Sequence, residues 1–163
     1  MQVYCSNLTK YQRWQTREVM VGGIGIGGDN PIRVQSMTTT DTMDTEATIA
    51  QSIRLVEVGC EIVRITAPSL KDAENLKQIR SGLRNRGFDV PLVADIHYTP
   101  NAAEIAAKIV EKVRINPGNY VDRKNFIFHD YSDESYYREL ERIREKFLPL
   151  VRICKEYGTA MRI

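Results

Sequence analysis

Cysteine is scarce in this sequence. Only three occur in 163 residues, Cys5, Cys60 and Cys154, and no C-x-x-C pair is present. An odd, scattered set argues against a disulfide framework and against a zinc ribbon. Cys60 and Cys154 sit in apolar helical surroundings and read as buried thiols. Long apolar runs are lacking too. No stretch approaches the length of a membrane span, and Met1 to Lys10 has no apolar core of the kind a signal peptide needs. A membrane is therefore not an expected partner, and the cytoplasm is the expected compartment. Charge of one sign is also missing: 23 basic residues face 21 acidic ones, a net charge of +2. That balance is too even to argue for nucleic acid or an anionic lipid surface. Any anion must instead be met by a few placed arginines.

What is present is an alternation. At 42% hydrophobic the chain can bury a core and is about one domain long. Short Val- and Ile-rich runs read as strands over Ile32–Met37, Glu61–Thr66, Pro91–Ile96, Lys112–Asn116 and Ala160–Ile163. Helical stripes fill the gaps. Ile49, Ile53, Val56 and Cys60 recur along Asp44 to Val58, with Gly59 as a stop. Ser69 and Asp72 have capping-box spacing ahead of Ala73, Leu76, Ile79 and Leu83, which run on to Gly87. Thr99-Pro100 is a cap followed by a first-turn proline. The longest helix is expected from about Ser132 to Tyr157, bent at Pro149 and stopped by Gly158.

Strands alternating with helices imply a parallel sheet, and strands that are apolar throughout imply burial on both faces. The fold class is therefore α/β, a parallel (β/α) barrel of the TIM type. The last strand begins at Ala160 with no helix after it, so the reading expects about five of a barrel's eight strands. Gly23 to Gly28 contains G-x-G-x-x-G, but Asp29-Asn30-Pro31 follows where a dinucleotide site needs a helix to start. Glu18 to Ile32 reads instead as a β-hairpin at the bottom of the barrel. Residues 1–16 are then an N-terminal extension and 17–163 the first part of the barrel.

The polar residues at the strand ends carry the chemistry, because ligands of such folds sit there. Arg64, Arg114 and Arg162 each lie between apolar neighbours on a strand. If the Val and Ile residues face the helices, the arginines face the barrel axis. Buried charge is expensive, so these groups need carboxylates or a bound anion, and the planar guanidinium suits phosphate oxygens. Val151-Arg152-Ile153 repeats the pattern inside a helix, so strand context matters. Asp95-Ile96-His97 puts two polar side chains on one face. They suit an acid–base pair, a pair of hydrogen-bonding groups for a hydroxylated ligand, or, least well, two metal ligands. Asn116-Pro117-Gly118-Asn119 reads as a tight turn whose two amides can hold phosphate or hydroxyl groups.

Four segments carry a resemblance: VGGIGIGGDNPIRVQSMTTTDTMDTEATIAQ (Val21 to Gln51), GCEIVRITAPS (Gly59 to Ser69), VPLVADIHYTPNAA (Val90 to Ala103) and KVRINPGN (Lys112 to Asn119). With them, the chain from about Arg17 to Ile163 resembles the 4-hydroxy-3-methylbut-2-en-1-yl diphosphate synthases of isoprenoid biosynthesis. Asp133 to Ile163 is similar to the long, three-domain members. The resemblance implies a barrel that binds 2-C-methyl-D-erythritol 2,4-cyclodiphosphate. It implies a separate domain with a 4Fe-4S cluster on three cysteines and a glutamate, fed with electrons by ferredoxin or flavodoxin. It assigns Arg64, Arg114 and Arg162 to the diphosphate, and Asp95, His97, Asn116, Asn119 and Ser36 to the shell around the ligand. No metal ligand, and no cofactor, is expected in this chain, which alone is expected to be inactive and to self-associate. Two rival readings are a dihydropteroate-synthase-like barrel, with Asp95 and Asn116 on a pterin, and a non-catalytic anion-binding or assembly module.

Overall fold

The computed structural model describes residues 7, 9–10, 15–122 and 132–163. Cys5 and most of the expected N-terminal extension lie outside them. Five strands form one parallel sheet in sequence order: β3 (Gln35–Met37), β4 (Ile62–Thr66), β5 (Leu92–Ile96), β6 (Lys112–Ile115) and β7 (Ala160–Arg162). Two earlier strands, β1 (Val19–Val21) and β2 (Ile24–Ile26), pair antiparallel as a hairpin. The crossovers carry α1 (Thr45–Glu57), α2 (Leu70–Asn85), α3 (Pro100–Ala107), α4 (Pro117–Asp122) and α5 (Asp133–Tyr157). Strand order equal to chain order is barrel topology. The sheet is open between β3 and β7 and does not close.

α1, α2 and α5 begin where a side chain accepts from their first amides, whereas Thr99, the expected cap of α3, makes no such bond and donates its hydroxyl to the Pro68 carbonyl. The Asp44 side chain accepts from the Ala47 amide at the start of α1. Ser69 and Asp72 form the full capping box on α2, as expected. Gly158 closes α5 in the left-handed region at φ 68°, and the helix runs unbroken through Pro149. The helices pack on one another in sequence, α1 on α2, α2 on α3 and α3 on α5, so they form one layer on one side of the sheet. Val63, Ile65, Leu92, Ala94 and Val113 point into that layer and join Ile49, Leu76, Ile79, Leu83 and Leu150 in the core. Because side chains alternate along a strand, Arg64, Asp95, Lys112 and Arg114 belong to the opposite, axial face.

Two expectations are corrected. The first strand is shorter than Ile32–Met37. The Val34 amide donates to the Glu61 carboxylate rather than to a strand, and Arg33 is tied to Gly25 O and Glu61. Pro117-Gly118 is not a simple turn but the start of α4. Proline supplies a preformed φ at a helix start, the Asn116 side chain accepts from the Asn119 amide, and the Asn116 carbonyl accepts from Tyr120. Burial of Tyr120 and Val121 holds this turn against the core.

The hairpin lies at the N-terminal ends of the strands, as the sequence suggested. Gly22, at φ +58°, sits so close to Pro91 and Glu111 that an added Cβ would lie 3.4 and 3.1 Å from their side chains. The Val21 side chain beside it is fully buried. The glycine-rich run is thus strand and turn, with no helix behind it to receive a phosphate.

Candidate anion-binding face

Strand register places the charged residues in layers. In one layer Met37, Arg64, Val93, Lys112 and Ala160 are neighbours across the sheet. Two residues further along, Thr66, Asp95, Arg114 and Arg162 form the next layer on the same face. All three strand arginines therefore share the axial face, near the C-terminal ends of their strands.

Asp95 is the hub. Its side chain is 4% exposed, at the middle of the sheet. Its Oδ1 accepts from Arg114 Nη1 at 3.0 Å, and Arg64 Nε lies 3.5 Å from Oδ2. His97 Nε2 stands 3.9 Å from Oδ2, too far for a hydrogen bond. Arg64 also donates through Nε and Nη2 to the Met37 sulfur. Part of the alternative set out for the arginines, internal ion pairing, is thus real for two of them. It does not neutralise the face. Arg64, Lys112, Arg114 and Arg162 stand against Asp95 alone on these two layers.

Lys112 was passed over in the sequence, although it lies two residues before Arg114 and so on the same face. Its ammonium is pushed to a lower pKa, first by burial and then by the cation of Arg162. Neither Lys112 nor Arg162 has an ion pair among the described residues, and Arg162 is exposed on the last strand. Together they leave unneutralised positive charge beside the Arg–Asp–Arg group, and this is what an anion would meet.

The remaining candidates divide. Asn116 and Asn119 follow β6 at its C-terminal end, but the Asn116 side chain is engaged as the cap of α4. His97 sits one alternation beyond Asp95 and is partly exposed. Ser36 is not brought to this group. Its register partner is Val63, a helix-facing residue, and its amide donates to Cys60 Sγ. Concavity and chemistry do not coincide either. A cleft of about 620 Å³ lies on the helix side, lined among others by Glu104, Tyr120, Arg142 and Lys146. There the Tyr120 phenol is pushed up to about 12, mainly by burial and then by Glu104. Shape alone would have chosen that cleft. The convergence of cations on the axial face outweighs it, because fixed charge sets what can bind.

Residues 16–163 match the model of the GcpE TIM-barrel domain. This chain belongs to the GcpE family. Among curated relatives, the 4-hydroxy-3-methylbut-2-en-1-yl diphosphate synthase (flavodoxin) of Akkermansia muciniphila is 56% identical over 160 residues, which is 98% of this chain and 27% of that protein. The like-named protein of Leptospira interrogans is 56% identical over 153 residues, 94% of this chain and 23% of its own length. That of Protochlamydia amoebophila is 55% identical over 161 residues, 98% of the chain and 25% of the relative. The chain thus spans about a quarter of the GcpE-family proteins it matches. Among solved structures, dihydropteroate synthase of Burkholderia cenocepacia, complexed with 7,8-dihydropteroate, aligns at a TM-score of 0.51 and 14% identity. It covers 91% of this chain and 61% of that one, a likeness of fold alone. No helix among the described residues is long and apolar enough to cross a membrane.

Proposed function

We propose that this chain supplies part of the diphosphate-gripping wall of a 4-hydroxy-3-methylbut-2-en-1-yl diphosphate synthase, acting in the cytoplasm. In that reaction 2-C-methyl-D-erythritol 2,4-cyclodiphosphate takes up two electrons and two protons. A ring C–O bond breaks, water leaves, and 4-hydroxy-3-methylbut-2-enyl diphosphate is formed. The observation that carries the reading is the axial face, where Arg64 and Arg114 are held on one buried carboxylate while Lys112 and Arg162 have no ion pair among the described residues. A planar guanidinium donates to two phosphate oxygens at once, and the remaining positive charge answers the negative charge of a diphosphate. His97, Asn116 and Asn119, around the C-terminal ends of β5 and β6, are assigned to the hydroxyl and phosphate edges of the ligand. Ser36 is left to the helix side. The dihydropteroate-synthase-like alternative is not favoured, because that likeness is 14% identical and one of fold alone, against 56% identity to the diphosphate synthases.

The electrons are assigned to flavodoxin, in line with the relatives' names, by way of a 4Fe-4S cluster. The described residues of this chain do not fit such a cluster. Cys60 donates to the Ile62 carbonyl and Cys154 is buried in α5 with its pKa pushed up by burial, and among the described residues no three His, Cys, Asp or Glu side chains gather. Its ligands are therefore placed outside this region, with residues 17–163 forming the first part of the substrate barrel. A protein of the relatives' length, reconstituted anaerobically, should convert the cyclodiphosphate with reduced flavodoxin. In it, Arg114→Ala should weaken substrate binding about ten- to a hundredfold, the worth of a charge-assisted hydrogen bond at ~1.5–3 kcal/mol. Calorimetry that finds an unchanged Kd removes Arg114 from the site.

A further inference from the structure

We infer that Asp95 is a positioning residue, one that sets the two arginine forks for a diphosphate without touching the ligand itself. This rests on the diphosphate reading of the axial face. A buried carboxylate beside an anion site is an electrostatic liability, since it repels what the site must hold. Asp95 is nevertheless buried at the middle strand, with Oδ1 taken by Arg114 Nη1 at 3.0 Å and Oδ2 facing Arg64 Nε at 3.5 Å. The arginines keep about a third of their side-chain surface exposed, 27% and 31%, whereas Asp95 keeps 4%. Each guanidinium has five N–H donors. Arg114 gives one to Asp95, and Arg64, ion-paired with Asp95, directs Nε and Nη2 at the Met37 sulfur, so donors on both forks remain for a ligand. The carboxylate thus lies behind the guanidiniums and fixes their angle, while Met37 Sδ steadies Arg64 from the other side. Long cationic side chains that are already held lose less freedom when the ligand arrives.

Charge and positioning predict opposite signs for one substitution. Asp95→Asn keeps the shape and adds one unit of positive charge to the face. If Asp95 merely neutralised the arginines, inorganic diphosphate would bind this variant more tightly. If it positions them, binding weakens despite the gained charge. We expect at least a fivefold rise in the Kd for inorganic diphosphate by calorimetry, with partial recovery in Asp95→Glu. A second readout needs no ligand. In ¹⁵N spectra of the free wild-type chain, the Arg64 Nε–H and Arg114 Nη signals should be shifted and slow to exchange, unlike those of exposed Arg152. In Asp95→Asn they should collapse towards the Arg152 values. Equal or tighter diphosphate binding by Asp95→Asn overturns the inference, and so do averaged arginine signals in the free wild type. A wild-type chain that binds no diphosphate counts against the diphosphate reading instead, and the arginine signals alone then decide the role of Asp95.

Discussion

An arginine between two aliphatic residues means one thing on a strand and another on a helix. In β4 and β6 the flanking Val and Ile enter the helix-covered core, and Arg64 and Arg114 are turned to the axis. In α5 the same tripeptide leaves Arg152 exposed. The same alternation separates Met37, which meets Arg64, from Ser36, which pairs in register with Val63. It also brings in Lys112, whose role can be tested by its cost. Folding lowers its pKa from 10.5, so the folded state holds this proton less tightly than the unfolded chain does. That penalty is in force below the folded pKa, and stability rises as the pH climbs from there towards 10.5. Lys112→Met should therefore raise Tm near neutral pH, and the gain should shrink in alkaline buffer. The same variant should bind inorganic diphosphate more weakly. Calorimetric melts at two pH values and a diphosphate titration check both halves; a lower Tm would mean that the ammonium stabilises the fold.

At the scale of elements, capping was readable and close packing was not. Ser69 and Asp72 announced α2 by their spacing, because a capping box is local chemistry. Gly82 announced nothing. On propensity alone a glycine inside a helix is a defect, and alanine there should gain about 1 kcal/mol. In the fold, a Cβ on Gly82 would lie 2.3 Å from Ile49 Cδ1, where α2 crosses α1. Ile49 is fully buried, so its Cδ1 can give way only by displacing close-packed neighbours. Overpacking of this kind costs typically ~1–3 kcal/mol, so Gly82→Ala should destabilise on balance. Removing the offending methyl with Ile49→Val should rescue it. A double-mutant cycle by urea unfolding measures the coupling, and additive effects would show that the two helices do not meet as described.

For the molecule as a whole, the open sheet is the governing feature. β3 and β7 each have one neighbour, so both present unpaired backbone groups. Beside them Ile32 is 79% exposed, Val34 56% and Ile163 72%, so little apolar surface is shielded at either edge. Recovered apolar area is worth about 25 cal/mol per Å², and a lasting contact between two copies would need roughly 1,000 Å² or more in total, which pairing of the two edges with their exposed apolar flanks can contribute towards. Arg64, Arg114 and Arg162 oppose a contact across the axial face unless an anion lies between. The 163-residue chain is therefore expected to self-associate, more so with diphosphate present. Light scattering across a dilution series tests this, and a sharp monomer at every concentration would refute it.

The sequence by itself determined the order of the strands and of every helix but α4, the parallel sheet, the hairpin and the family. Each of these depends on local periodicity, on caps and turns, or on motifs contiguous in the chain. Residues 32–34 read as strand and 117–119 as a turn, but a distant carboxylate and burial against the core decide them otherwise. The candidate site was legible only as far as alternation reaches, which is to say as a face. That Asp95 lies between Arg64 and Arg114, that Lys112 and Arg162 join them on one face, and that Ser36 turns the other way depend on register between strands far apart in sequence. Register is set by the packing of whole helices on the sheet, a sum over many contacts that no short motif encodes. Charge has its meaning only once that packing has placed one group beside another.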